Sequence, residues 1–173
     1  CVILKRFLKK IGNDPYIISQ PMPPDKNLIK RMQTGIPNKI IFTDMAIDQT
    51  NVVKKIKGIA DILVIDHHVV QNNLNSENVV HFNPRIKDPD IYQSASYLAY
   101  NIISEAGFDE NEIDWIAAMG AIADYDLTYS KDLIDDVKKK HDINMLRKIV
   151  HILSSLKTTR AMSCEQIVNI LSE

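Results

Sequence analysis

Ile62-Leu63-Val64-Ile65-Asp66-His67-His68 is the stretch on which the reading of this chain turns. Four consecutive apolar residues, three of them β-branched, read as a strand buried on both faces. A carboxylate and two imidazoles follow at its carboxyl end. Open α/β sheets bind ligands just beyond their strand ends, and neutral imidazole with carboxylate is a ligand set for Zn- and Mn-type ions. Taken alone, the tripeptide reads equally well as a polar turn after a strand.

Two further segments share the pattern. Lys39-Ile40-Ile41-Phe42-Thr43-Asp44 is an apolar strand ending in an acid, and Ala117-Ala118-Met119-Gly120-Ala121-Ile122-Ala123-Asp124 is a small-residue, apolar stretch that also ends in one. Neighbouring parallel strands bring Asp44 and Asp66-His67-His68 to one edge of a sheet. Three acids and two histidines can then converge on a pair of metal ions, the kind of site that runs in-line phosphoryl displacement.

On either side of these segments the periodicity is clear. Residues 2 to 11 predict an amphipathic helix with Leu4, Phe7, Leu8 and Ile11 on one face and Gly12 just past its end. Tyr16-Ile17-Ile18 reads as a short strand, Pro21-Met22-Pro23-Pro24 as a loop, and Asp25 as the cap of a helix over 26 to 33. A strand at 39 to 44, a helix at 49 to 57 with Val52, Val53 and Ile56 inward, and a strand at 61 to 66 alternate as in a parallel sheet with right-handed crossovers. The Asn-rich stretch 69 to 78 is a loop, and Val79-Val80-His81-Phe82 is a further strand stopped by Asn83-Pro84. Helices follow at 92 to 105, ended by Gly107, and at 110 to 123, with Ile113, Ile116, Ala117 and Met119 or Gly120 buried. Met145, Leu146, Ile149, Ile152, Leu153 and Leu156 predict a helix over 143 to 156. Ser163 with Gln166 forms a capping box for a last helix over 164 to 171. The expected fold class is α/β: a mainly parallel sheet with helices on both faces and a helical C-terminal extension.

In this order the motifs resemble those of the DHH phosphoesterases. Phe42-Thr43-Asp44 matches the second motif and Val64-Ile65-Asp66-His67-His68 the third, from which the family is named. Gly120-Ala121-Ile122-Ala123-Asp124 matches the fourth. Asn83-Pro84-Arg85 and this form of the fourth motif are most similar to the RecJ-like nucleases, including their archaeal branch. The family's first motif, a strand ending in His and an Asp-x-Asp pair, has no counterpart, and Cys1 to Lys10 resembles the helix that follows it. The expected organisation is a DHH phosphoesterase domain over 1–128 lacking its first strand and motif, then a helical extension over 129–173 packed on that domain or leading out of it. The natural amino end is expected upstream of Cys1; evolutionary loss of the motif is the alternative. The family's glycine-rich second domain has no candidate among five glycines, none of them adjacent.

The resemblance implies two Mn²⁺ ions, with Mg²⁺ as a substitute. Asp44 would bridge them at a separation of about 3.5–4 Å, His67 would ligate one, and Asp124 would complete the metal set. Asp66 and His68 are the implied catalytic pair: Asp66 orients an imidazole and fixes its tautomer, and His68 faces the substrate phosphate or a metal-held water, where imidazolium steadies developing charge. Arg85 would fork onto a substrate phosphate, though a surface arginine after a turn reads equally well. The bland reading of Asp44 is a cap, and of the two histidines ordinary turn residues. Ser94 and Ser96 read as capping or packing residues, Asp48 as a helix cap, Asp126 as structural or surface, and His81 as a satisfied core histidine. His141 and His151 read as surface, Lys54, Lys55, Lys57 and Lys138-Lys139-Lys140 as solvated helix faces, and Trp115 and Tyr100 as core.

At 173 residues, with 45% hydrophobic and 25% charged residues, the chain is of a size and composition to form one ordinary globular core. No apolar run approaches membrane-spanning length. Two isolated thiols, Cys1 and Cys164, point to a reducing compartment, and the expected location is cytoplasmic. A net charge of −1 excludes an overall basic coat for nucleic acid but leaves room for a local one. The function that follows is a metal-dependent phosphodiesterase, a RecJ-like exonuclease on single-stranded DNA or RNA, with replication or repair proteins as partners. The alternatives are a phosphodiesterase on short oligonucleotides or cyclic dinucleotides, and a non-catalytic scaffold of a replication complex. Lacking the first-motif ligands, the chain itself is expected to be weakly active or inactive.

Overall fold

The computed structural model describes residues 1–20, 23–24, 27–35 and 37–173. Two compact units are present, one made of Gln20–Ala95 and the other of Cys1–Ser19 with Ser96–Glu173. The fold is mixed α/β, with a parallel three-stranded sheet and a helical C-terminal part.

The first unit carries the sheet. Strands β1 (Lys39–Thr43), β2 (Asp61–Ile65) and β3 (Val79–Phe82) lie parallel in that order, with Thr43 opposite Ile65 and Ile65 opposite Phe82. β2 is central, and Ile62, Val64 and Ile65 are buried, which explains its continuous apolar run. On β3 the alternation is clean: Val79 and His81 turn in, Val80 and Phe82 turn out. Between β1 and β2 the expected single helix is split. A 3₁₀ turn at Ile47–Gln49 precedes a short helix, α3 (Val52–Ile56), whose Val52, Val53 and Ile56 are buried as the spacing predicts. Helix α2 (Asn27–Gly35), buried through Leu28 and Met32, packs on α3. The capping role expected of Asp25 falls outside the described residues.

The second unit is helical. α1 (Val2–Lys10) ends as its sequence predicts, with Gly12 at φ +82° and the Asn13 N–H donating to the Leu8 carbonyl. The same device closes α4 (Ala95–Glu105): Gly107 has φ +82° and the Phe108 N–H reaches the Ile103 carbonyl. α5 (Asp114–Ala123) is the buried centre, with Ile116, Ala117, Ala118, Met119 and Ala121 inside, and it packs against α1, α6 (Lys131–Lys140) and α7 (Ile143–Thr158). Close approach explains its small residues. A Cβ added at Gly120 would overlap the Oγ and Cβ of Ser96, so only glycine lets α4 come this near. α8 (Cys164–Leu171) carries the predicted capping box between Ser163 and Gln166. It is tied to α1 by the buried Lys5, whose Nζ donates to Asn169 Oδ1 at 2.5 Å.

Two expectations are corrected, and one helix buries less than its apolar stripe offers. Tyr16-Ile17-Ile18 is not a strand: Tyr16 is exposed, and among the described residues the segment has no ladder partner. Without a neighbouring strand an extended tripeptide has no ladder, and its exposed backbone groups are left to water. Helix 110 to 123 is broken into a 3₁₀ turn at Glu110–Glu112 and α5. On α7 only Leu146 is buried, while Met145 and Ile152 are exposed, so the apolar stripe is wider than the surface it covers. Among the described residues no helix is long and apolar enough to cross a membrane.

Candidate metal centre

The parallel register sets the site. The ladder runs one residue past each strand: the Asp44 N–H donates to the Ile65 carbonyl at 3.0 Å, and the Asp66 N–H to the Phe82 carbonyl at 3.1 Å. Asp44 and Asp66 therefore leave the sheet side by side, and the chain after Asp66 turns His67 toward Asp44. His67 Nε2 lies 3.1 Å from Asp44 Oδ1. Asp44, His67 and His68 each offer one ligand atom, and the three atoms lie within 4.8 Å of one another. One carboxylate oxygen and two imidazole nitrogens so close together suit a divalent ion of the Zn or Mn class.

The surroundings of the three differ. His67 is buried, whereas the side chains of Asp44 and His68 are 55% and 45% exposed, so the cluster opens toward solvent on one side. Asp44 sits at φ +57°, a left-handed conformation that costs most side chains free energy and that Asp tolerates better than most. Strain of this sort collects at functional positions. The hydrogen bond to His67 holds the Asp44 carboxyl below the usual carboxylate range; desolvation pushes the other way and does not prevail.

Asp66 is wholly buried, and its Oδ1 lies 2.8 Å from His68 Nδ1. A carboxylate there holds the proton on Nδ1 and leaves the Nε2 lone pair to face outward, as in carboxylate–histidine–metal arrangements. The other Asp66 oxygen, Oδ2, is buried with no hydrogen-bond partner among the described residues. An orphan of that kind is costly, and a bound ion or water is one of the things that would satisfy it.

Arg85 is half-buried after the turn that Asn83-Pro84 begins. Its Nε donates to the Ile91 carbonyl at 2.9 Å and its guanidinium lies 5.6 Å from the centre of the Tyr92 ring. Asp124 is not one of the three clustered residues. It belongs to the helical unit, where it is half-buried as the C-cap of α5 and its N–H donates to the Gly120 carbonyl. Asp126 is structural: it is buried and accepts from the Ser130 hydroxyl at 2.5 Å. Ser96 packs against Gly120, and Ser94 is buried. His141 and His151 are exposed. Lys138 and Lys139 pair with Asp135 and Asp136 of their own helix, and Lys140 pairs with Asp114. Lys131 and Lys138 together hold the Asp135 carboxyl down to about 2. These lysines are each paired with a nearby acid.

Two expectations change. Asp48 does not cap a helix. It is buried, and its Oδ2 accepts from the Gln71 and Asn72 N–H groups at 2.7 and 3.0 Å, pinning the loop that follows His68. His81 is only half satisfied: Nδ1 accepts weakly from the Leu74 N–H at 3.4 Å, and Nε2 has no hydrogen-bond partner among the described residues. Residues that sequence reasoning missed are Asn83, whose Nδ2 donates to the His68 carbonyl at 3.0 Å, and Tyr92, whose ring centre lies 5.2 Å from that of His67. The turn signal of Asn83-Pro84 was legible; its bond to His68 was not.

A parallel sheet that delivers an Asp and a His pair from adjacent strand ends defines an α/β domain with a candidate metal centre at the sheet's carboxyl edge. The chain belongs to the DHH family: the model of the DHH family, N-terminal domain, matches residues 1–124. Its fold is similar to that of exonuclease RecJ in a crystal structure bound to manganese, with 21% identity and a TM-score of 0.55 over 77% of this chain. It is also similar to RecJ from Thermus thermophilus in complex with Mn²⁺, with 22% identity and a TM-score of 0.49 over 71% of this chain. The chain spans 37% of the length of the first of these structures and 19% of the second. No curated protein sequence matches it.

Proposed function

We propose that this chain is part of a metal-dependent phosphodiesterase that shortens single-stranded DNA or RNA. The observation that carries the reading is the Asp44, His67 and His68 cluster at the carboxyl edge of the parallel sheet. Asp44 and His67 would hold a divalent ion, and family motif order adds Asp124 on sequence grounds alone. Mn²⁺ is the ion found with the RecJ structures of similar fold, and two ions, with Mg²⁺ as a substitute, remain the proposal. Such ions activate water and polarise a phosphoryl oxygen.

The remaining steps fall to the side chains. Asp66 keeps the His68 proton on Nδ1 and steadies the ring as charge builds on it. His68, half exposed at the mouth of the cluster, accepts or returns a proton at Nε2 and faces the phosphate oxygens. With Nε engaged by Ile91, Arg85 would present its terminal nitrogens to a phosphate. The proposed organisation is a phosphoesterase domain over 1–128 and a helical extension over 129–173. A cytoplasmic location and a role in replication or repair beside partner proteins complete the reading.

The test has two stages. Mn²⁺ is titrated into the full-length protein, followed by electron paramagnetic resonance of the free ion. End-labelled single strands of DNA and RNA are then incubated with it beside Asp44→Ala. Stepwise shortening that disappears in the variant supports the nuclease. Metal binding without cleavage of either strand turns the reading to short oligonucleotides or cyclic dinucleotides. No metal binding turns it to a scaffold.

A further inference from the structure

Tyr92 lies in neither the metal cluster nor the sequence motifs, yet it touches the most buried member of the cluster. Its ring centre is 5.2 Å from that of His67, with the planes at 54°. The guanidinium of Arg85 lies over the same tyrosine at 5.6 Å from the ring centre. Arg85 is itself held at both ends. Its Nε donates to the carbonyl of Ile91, the residue before Tyr92, and its backbone N–H donates to Asn83 Oδ1 at 3.0 Å. The Nδ2 of Asn83 in turn donates to the carbonyl of His68 at 3.0 Å. The contacts form a closed circuit from His67 through Tyr92, Arg85 and Asn83 back to His68, all within the sheet-bearing unit.

A circuit of this kind has a physical consequence. The hydrogen bond to Asp44 holds the His67 ring at Nε2, and the His68 ring meets it edge-on with centres 4.8 Å apart. The Tyr92 ring, packed on His67 at an angle, adds a further restraint, as edge and tilted ring contacts favour particular geometries. Arginine over the tyrosine face supplies a cation–π attraction that keeps the tyrosine in place.

We propose that Tyr92 is a positioning residue that sets the orientation of the His67 imidazole, with Arg85 and Asn83 as its brace. The proposal rests on the metal-site reading above only for its effect on metal. The orientation of His67 is a property of the metal-free chain and is testable there.

The experiment compares the parent chain with Tyr92→Phe, Tyr92→Leu and Arg85→Gln. Two readouts are taken: side-chain ¹⁵N and ¹H resonances of His67 without metal, and Mn²⁺ affinity. In the parent and in Tyr92→Phe, His67 is expected to give ring-current-shifted signals from one orientation. In Tyr92→Leu those signals move toward the values of an unrestrained imidazole, and Mn²⁺ affinity falls about 10-fold or more, in the range seen for outer-shell partners of metal ligands. Restoration by Phe separates ring positioning from general destabilisation. Loss of the ring alone removes its ring-current shift, so orientation is read from the His67 side-chain couplings and nuclear Overhauser contacts, and if these are unchanged in a folded Tyr92→Leu the proposal is overturned. If that variant does not fold, Arg85→Gln decides: it keeps the ring but removes its brace, and unaltered His67 signals there are equally fatal. If the parent binds no Mn²⁺, the metal-site reading fails while the resonance comparison still judges Tyr92.

Discussion

His67 Nε2 lies 3.1 Å from Asp44 Oδ1, although 23 positions separate the two residues in the chain. The pairing follows from register. Thr43 opposite Ile65 places the next residue of each strand at the same edge, and one further residue brings His67 back across it. Any change that slides β1 against β2 therefore dismantles the site without touching a ligand.

The left-handed backbone at Asp44 should be separable from its carboxylate. Asp44→Gly and Asp44→Ala both delete the acid, but only Gly adopts φ +57° without strain. Both variants are expected to lose Mn²⁺ binding, with the Gly variant more stable than the Ala variant by roughly 1 kcal/mol. Chemical denaturation alongside Mn²⁺ titration checks this; equal stabilities would show that the strain has no energetic weight.

Gly120→Ala should be costly for a helix position. The added methyl runs into the Oγ and Cβ of Ser96, so α4 and α5 must part. A loss of about 1–3 kcal/mol is expected, as for overpacking in general. Ser96→Gly in the same chain should recover part of it. A double-mutant cycle with no coupling between the two positions would show that the contact does not limit the packing.

Asp48→Ala should loosen the loop after His68. The carboxylate accepts from two backbone N–H groups, and removal leaves both without their acceptor. About 1–3 kcal/mol of destabilisation is expected. Amide exchange at Gln71 and Asn72 should accelerate more than at the strand residues Val64 and Ile65. Uniform acceleration across the sheet would argue against a local pin.

Stability should fall in mild acid because of His81. Burial lowers its pKa below the ordinary 6.5, and the nearby Asp48 and Asp66, which pull it upward, do not compensate. Below pH 6.5 the unfolded chain takes up a proton that the folded chain resists, so it binds more protons. Stability is then full above that ordinary value and declines as pH drops from there toward the lower folded value. Denaturant melts of the parent and of His81→Gln between about pH 5 and 7.5 are the check; the variant should show a shallower decline. Identical slopes would place the titration elsewhere.

Much of this was legible along the chain. Strands 39–43, 61–65 and 79–82 announce themselves because each is a short apolar run bounded by polar turns, and only the central one is buried along most of its length. The ends of α1 and α4 were legible because Gly12 and Gly107 occupy a backbone region other residues avoid. The capping box of Ser163 and Gln166 is a local pattern and forms locally. Tyr16-Ile17-Ile18 misled because three apolar residues carry no information about a pairing partner.

Local periodicity and motifs read along the chain were enough for the family, the α/β class and the residues that end the strands. They also supplied Asp44, His67 and His68 as candidates. The folded chain was needed to bring these three within 4.8 Å of one another and to lay Asp66 against His68. It was needed, too, for Asp48 to pin a loop 23 positions away and for Tyr92 to pack on His67. The physical reason is that those contacts cross between elements. Strand register and turn geometry set them, and neither is written in the spacing of residues along a single segment.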